Sequence, residues 1–454
     1  MRSLTRAFVA LVFGVLLALE VILYAGLVNA HAQRPVGSDL LSFHGSALRV
    51  RMGQTPYWPV PNKVPEGHPC HKHSQAQLDL VSTLPAQRDL KLELLCRPAN
   101  LNPPFFSVLL APLTVLDIAS FHRLWAWLSV ISSLAAVWLV LSELGFVDRG
   151  RRRRAFEAWL ITSAVLYLWF PSWANFLFGQ VSFILMLPLA LCWRAMRQGR
   201  DTQAGLYLGL LMGIKLFFGL FLMSLLLARR WRVLATALAC LLLTVLIGLY
   251  PVGVQAYRDY MAGLGQMDWA ASNLNGSWQA YVSRFLGGSR NVPMWHAPMV
   301  ARWLTWGGQL ALVCALLVTI GRASSVRTAD GDAGLSDSAR RMTHTDLVFA
   351  LTMPAMLLMS PLAWVYYYSW LVLPAALVWR WGNTHPQKVT IRLLLLLLWA
   401  MVAAPRAFLG AWQVNEPLTW LLDWGFYTYA LLGLFMLAVW LGPREQNVAL
   451  ARMP

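Results

Sequence analysis

The sequence predicts an all-α polytopic membrane protein. Three observations carry that prediction: the share of apolar residues, their gathering into long runs, and the confinement of basic residues to the stretches between those runs. Hydrophobic residues make up 58% of the chain and charged residues 13%, whereas soluble domains carry about 25% charged residues. A chain so poor in charge cannot cover a water-facing surface. The formal charge of +17 would point to nucleic acid in a soluble protein. Here the arginines sit at the ends of apolar runs, as positive-inside sorting requires. Charge therefore reports topology, and membrane lipids rather than nucleic acid are the expected partners.

A spanning helix needs about 20 apolar residues. Apolar runs cover about 8–29, 121–144, 155–170, 176–197, 230–250, 297–320, 346–361, 365–380, 390–405 and 418–441. Two further runs, about 104–118 and 205–228, are irregular: the first begins at Pro103-Pro104 and the second is interrupted by Gly213 and Lys215. They read as re-entrant or paired half-helices, which gives about 10–12 membrane segments in a single membrane domain over 1–454. Irregular backbone at membrane depth is tolerated where protein covers it or where it lines a cavity, so these segments point to an internal cavity.

Orientation follows from arginine placement. Arg2 and Arg6, the cluster from Arg149 to Arg154, Arg194, Arg197 and Arg200, Arg229, Arg230 and Arg232, Arg322 to Arg341, and Arg444 with Arg452 are expected to face the cytoplasm. That puts both termini inside, exposes 30–103 and 251–296 on the outer side, and makes 321–345 a flexible cytoplasmic loop. The N-terminal run, followed by Ala30-His31-Ala32, has the outline of a secretory signal. Its length and the mid-run Glu20 favour an uncleaved first helix whose acid faces the bundle.

Chemistry-bearing residues gather on the outer side. Asp39 follows the first helix in an amphipathic stretch suited to the membrane surface. It reads either as a general base or as the cap of a short interfacial helix. Tyr57, in Gly53-Gln54-Thr55-Pro56-Tyr57-Trp58-Pro59, can stack on a sugar or sit at headgroup level. Lys215 alone of the five lysines lies in an apolar segment. A buried ammonium needs a partner, either a lipid phosphate or a helix carboxylate such as Glu20, unless it snorkels to the interface. Gln180 opens an apolar run after an aromatic turn. Asn273, Asn275, Ser277, Trp278 and Arg284 stand on the second outer segment, and Trp364, Tyr366, Tyr367 and Tyr368 follow Ser360-Pro361. His68, Cys70, His71 and His73 crowd one loop, but their spacing matches no zinc pattern, and no metal site or cofactor is expected. Cys70 and Cys96 share that loop, where one disulfide or two thiols are both open readings.

Taken in order, these residues resemble glycosyltransferase family 87, polyprenyl-phosphate-sugar-dependent enzymes of the GT-C group that include mycobacterial mannosyltransferases. The matching stations are Asp39 with Phe43 and Gly53-x-x-Pro56-Tyr57; Asn102-Pro103-Pro104 with Pro112-Leu113; Gly179-Gln180-Val181; Ala204-Gly205-x-x-Leu208-Gly209 leading to Ile214-Lys215; Asn275-Gly276-Ser277 with Arg284; and Ser360-Pro361-x-x-Trp364. The resemblance implies a GT-C helix bundle with short interfacial helices in its periplasmic loops, in the bacterial inner membrane. It implies a hexosyltransferase that moves a hexose, mannose by family precedent, from a polyprenyl-phosphate donor to a lipid or glycan acceptor with inversion. Asp39 would be the catalytic base. Lys215 and Arg284 would face the phosphate, and Tyr57, Gln180, Asn275, Trp364, Tyr366 and Tyr367 would line the substrate site. No Gly-rich nucleotide fingerprint is needed for a sugar already activated by a lipid phosphate.

Two departures stand out. Asn102 replaces the family's usual Tyr before the paired prolines, and Tyr366 stands where Trp-x-His-Tyr would place histidine. A phenol with a pKa near 10 cannot carry protons as imidazole does near neutrality, so His44 or His296 becomes a candidate supplier. A transporter or flippase of lipid-linked sugars also uses broken helices and intramembrane charge, and a non-catalytic envelope scaffold would tolerate the lost histidine.

Overall fold

The computed structural model describes residues 2–33, 39–57, 101–145, 152–264, 272, 274–287, 296–329, 337–403 and 425–451. Within them the chain is helical, and an isolated bridge between Asn275 and Trp364 is the one element of β pairing among the described residues. The first apolar run becomes α1 (Arg2–Gln33), a helix whose outward face carries Phe8, Leu11, Ile22 and Leu23, all more than half exposed, while Glu20 is buried. Next come the short α2 (Asp39–Arg51) and α3 (Pro104–Leu110), the latter continued by one 3-10 stretch, Ala111–Val115. The irregular 104–118 run is thus a short helical element too brief to cross a bilayer.

α4 (Ile118–Glu143) is a full-length apolar helix capped by Asp117, whose carboxylate accepts from Ser120 N at 3.0 Å. α5 (Arg152–Tyr167) and α6 (Phe170–Leu177) meet at 65°, the second starting at a proline in its first turn. The run expected as one span over 176–197 therefore divides. Gly179, in left-handed conformation, separates α6 from α7 (Ser182–Arg197).

α8 (Asp201–Ile214) and α10 (Trp231–Leu264) pack with their backbones close together. Gly205, Gly209 and Gly213, four residues apart on one face, lie against Thr236, Cys240 and Thr244; a Cβ on Gly205 would come within 2.7 Å of the Val233 carbonyl and one on Gly209 within 2.7 Å of the Ala237 carbonyl. Small residues at this spacing let membrane helices approach closely where no hydrophobic drive exists between them. The chain then breaks at Lys215, which is extended (φ −138°, ψ 105°), passes a 3-10 turn at Leu216–Gly219 and resumes as α9 (Leu220–Leu227). The interruption expected at Gly213 and Lys215 is present, and the small-residue seam fixes where it sits.

The outer segment expected over 251–296 contains more helix than its Pro and Gly imply. α10 kinks at Gly253 (φ 70°, ψ 179°) beside Pro251 and continues as a helical arm to Leu264. α11 (Trp278–Leu286) starts at a Ser277 cap, and α12 (Pro298–Ala329) follows. α13 (Asp337–Met359) leads through a 3-10 helix, Val365–Leu371, into α14 (Val372–Thr384), α15 (Lys388–Ala403) and α16 (Phe426–Ala451). Among the described residues five helices are long and apolar enough to cross a membrane, and six if α5 and α6 form one bent span. At the far end of α7, roughly 22 Å from Ser182 at 1.5 Å per residue, buried Arg197 meets buried Asp346 of α13 at 2.5 Å, and Trp193 Nε1 donates to the same carboxylate at 2.9 Å. That pair joins the two helices whose opposite ends carry Gln180 and Trp364.

Candidate active site

Asp39 occupies the first turn of α2, where the partial positive charge of a helix N-terminus favours a carboxylate. Its Oδ2 accepts a hydrogen bond from Gln180 Nε2. The turn that delivers Gln180 depends on Gly179: its φ is 63°, and a side chain there would place Cβ 2.6 Å from Leu40 Cβ. With glycine, Phe178 O can accept from Leu40 N at 3.3 Å, and the turn lies directly on α2. Gln180 is fixed from both sides, its N–H donating to Asn175 O at 2.8 Å and its carbonyl accepting from Trp125 Nε1 at 3.3 Å.

Lys215 reaches the same place from the break between α8 and α9. It is buried, and its Nζ donates to Tyr367 Oη at 2.9 Å. Among the described residues no carboxylate lies within ion-pair distance of it, so Glu20 is not its partner. The Asp39 carboxylate is close enough to act electrostatically on Lys215, Tyr366 and Tyr367. Tyr367 stacks on Trp370 with centroids 4.9 Å apart and planes 16° apart, and Trp370 Nε1 donates to Ser182 O at 2.8 Å. Tyr366 packs between Trp364 (6.3 Å) and Phe178 (6.1 Å). Asp39, Gln180, Lys215 and the adjacent Tyr366 and Tyr367 therefore converge from four separate parts of the chain.

The other expected residues form the frame. Asn275 Oδ1 accepts from Ala363 N at 2.8 Å and from Ser277 N at 3.1 Å, while its Nδ2 donates to Pro361 O at 2.9 Å. Arg284 Nη1 donates to the carbonyls of Ser272 and Asn275, both at 2.9 Å. Asn275 thus holds the loop before α11 against the turn that carries Trp364, and Arg284 ties that loop to α11. Tyr57 Oη donates to Asn102 O at 2.5 Å, which gives the residue in place of the family's usual tyrosine a backbone role.

His44 turns its ring edge onto Phe121, 4.9 Å between centroids, and is buried. Burial pushes its imidazole down to about 4, which leaves it without a proton to donate near neutrality. His296 is exposed just before α12. Trp58, His68, Cys70, His71, His73, Cys96 and Asn273 lie outside the described residues, within which no three His, Cys, Asp or Glu side chains come together as a metal site. Three residues given no role from sequence join the frame. Thr55 Oγ1 donates to Asp259 Oδ2 at 3.0 Å, and Tyr260 packs on Tyr57 at 5.5 Å. A signal for Tyr260 was present: Val252, Ala256, Tyr260 and Leu264 recur every fourth residue and form one packed stripe with Tyr57.

The group comprises a carboxylate held by an amide, an ammonium held by a phenol, and aromatic faces around them. It can accept a proton at one point and stabilise an anion at another. Residues 100–335 match the sequence model of Glycosyltransferase family 87. The chain belongs to glycosyltransferase family 87. The match spans Gln180, Lys215, Asn275 and Arg284 of this family 87 chain, whereas Asp39 and the Trp364–Tyr367 turn lie outside it. Two relatives are polyprenol-phosphate-mannose-dependent alpha-(1-2)-phosphatidylinositol pentamannoside mannosyltransferases. The one from Mycobacterium tuberculosis is 26% identical over 76% of this chain and 74% of its own length. The one from Mycolicibacterium smegmatis is 28% identical over 72% of this chain and 73% of its own length. No solved structure matches the chain.

Proposed function

We propose that this family 87 chain is an inverting hexosyltransferase of the GT-C type that transfers mannose from a polyprenyl-phosphate donor to a lipid or glycan acceptor at the periplasmic face of the bacterial inner membrane, with both termini cytoplasmic. The observation that carries the reading is the approach of Asp39 to Lys215 and Tyr367, residues more than 150 positions apart in sequence, with Gln180 fixing the carboxylate. The relatives' mannosyl chemistry supports the sugar. Residue roles follow from the chemistry. An acceptor hydroxyl attacks the anomeric carbon on the face opposite the phosphate, and Asp39 takes its proton as the new bond forms. The polyprenyl phosphate departs with the bonding electrons, and Lys215 balances the charge that develops on it, an interaction strengthened by a water-poor setting. Gln180 keeps the carboxylate in reach of the hydroxyl, while Tyr366, Tyr367 and Trp364 supply aromatic faces for the sugar. Tyr57, Asn275 and Arg284 maintain the walls, and direct displacement inverts the anomeric centre.

The test is transfer of labelled mannose from polyprenyl-phosphate-mannose to endogenous lipid in membranes carrying wild type or Asp39→Asn at equal protein level. Wild type should transfer and the variant should lose about 10²–10⁴-fold, the usual value of a general base. Undiminished transfer by Asp39→Asn would remove Asp39 from the mechanism.

A further inference from the structure

The arm of α10 beyond the Gly253 kink brings one more phenol to this site. Tyr260 is 5% exposed, rests its ring on Tyr57, and lies close enough to Tyr367 for the two side chains to interact electrostatically. The neighbouring phenols have partners: Tyr57 Oη donates to Asn102 O, Tyr367 Oη accepts from Lys215, and Tyr366 interacts with Tyr367. Among the described residues the Tyr260 hydroxyl has no hydrogen-bond partner, and it is not sealed off as fully buried orphan atoms are. A phenol whose ring is set into a packed wall while its hydroxyl stays accessible and unoccupied by protein is free to donate a hydrogen bond to a ligand.

The arm is held in place independently of that hydroxyl. Asp259 accepts from Thr55 Oγ1 at 3.0 Å and from Gln255 Nε2 at 2.8 Å, and Arg49 of α2 donates to Thr55 O at 2.7 Å. Tyr257 Oη reaches back across the kink to Val245 O at 3.1 Å. These bonds tie the arm to the C-terminal end of α2, the helix that carries Asp39 at its start. The position of Tyr260 is thus coupled to that of the carboxylate.

We infer that Tyr260 is a further substrate-binding residue, whose hydroxyl donates a hydrogen bond to a phosphate oxygen of an isoprenyl-phosphate ligand placed beside Lys215. The assignment rests on the proposed donor class. A neutral phenol suits this task, since it donates to an anion and adds no second positive charge next to the ammonium. The ring serves packing and the oxygen serves the ligand, so the two roles can be separated by removing one atom.

The experiment compares wild type with Tyr260→Phe, which keeps the ring on Tyr57. Binding of farnesyl phosphate and of uncharged farnesol is measured on the purified full chain by tryptophan fluorescence, beside mannose transfer and thermal unfolding. The expected result is about tenfold weaker binding of farnesyl phosphate, as for loss of a hydrogen bond to a charged group. Farnesol binding and the unfolding temperature should not change, and KM for the donor should rise without a matching rise for the acceptor. Equal binding of farnesyl phosphate by both proteins, an equal loss for farnesol, or a wild type that binds no farnesyl phosphate overturns the assignment. If wild type binds farnesyl phosphate in a Tyr260-dependent way but transfers no mannose, the mannosyl reading fails and the phosphate contact stands.

Discussion

Gln180 donates its side-chain amide to the carboxylate of Asp39, a residue 141 positions earlier in the chain. The bond gives the carboxylate one orientation, and small displacements of a catalytic group can cost about 10²-fold in rate. Gln180→Leu, close in size but unable to donate, is expected to lower transfer about 10- to 100-fold with little effect on stability. Gln180→Glu places a second carboxylate beside Asp39. Like charges oppose ionisation, so the acidic limb of the pH–rate profile should move to higher pH. Profiles in membranes at matched protein levels decide both points, and an unmoved limb in the glutamate variant would separate Gln180 from the reacting carboxylate.

Lys215 donates to Tyr367, and the two are expected to differ in importance. Replacing the lysine with methionine removes the positive charge and should lower kcat/KM for the donor about 10²–10³-fold, the range found when a group that stabilises developing negative charge is lost. Tyr367→Phe removes one hydrogen bond and leaves the ammonium, so its loss should be about tenfold. Initial rates over a range of donor concentrations provide the comparison. A larger loss in the phenylalanine variant than in the methionine variant would reverse the assignment of the two groups.

The helical framework was legible because lipid imposes a simple rule: apolar length gives a crossing. The runs read at 121–144 and 297–320 reappear as α4 (Ile118–Glu143) and α12 (Pro298–Ala329), the second continuing well past its expected end. The break in 205–228 was legible because a lysine in an apolar run is expensive, and the chain does leave helical geometry at Lys215. The arm beyond Gly253 was missed because Pro251 and Gly253 are the usual marks of a helix end. The helix does break at Gly253, but a second helix starts directly beyond it, where Ala256, Tyr260 and Leu264 continue the four-residue repeat begun at Val252.

For the site, residue types announced candidates but not their tasks. Asn275 and Gln180 are both amides in the outer half of the reading. One is occupied with the backbone of Pro361, Ser277 and Ala363, and the other with Asp39. Nothing in local sequence separates these cases, since the difference lies in what comes to meet each side chain from 86 to 141 residues away. Thr55 and Asp259 were overlooked for the same reason. Each is an ordinary polar residue until the kink brings the arm over α2.

Asn275 should therefore act on stability more than on substrate affinity. Asn275→Ala leaves the N–H groups of Ala363 and Ser277 and the Pro361 carbonyl without the partner they have now, and a buried polar group left unpaired costs about 1–3 kcal/mol. Unfolding in detergent should occur several degrees lower. KM for the donor in the protein that remains folded should be close to wild type. An unchanged unfolding temperature with a large rise in KM would instead make Asn275 a ligand contact.

The pH dependence of stability should carry the mark of His44, which lies on α2 outside the long apolar helices. Burial lowers its imidazole from 6.5 to about 4, so the folded protein holds it neutral where the unfolded chain would protonate it. Between those values the unfolded state binds more protons, and stability rises with pH. The contribution is complete above the unfolded value and is lost as pH falls through the window toward the folded value. His44→Phe keeps an aromatic edge against Phe121 and cannot titrate. The unfolding temperature of wild type should therefore fall more steeply than that of the variant between pH 7 and pH 4.5, while the two respond alike above pH 7. Parallel curves across the acid range would show that His44 is not held neutral by its setting against Phe121.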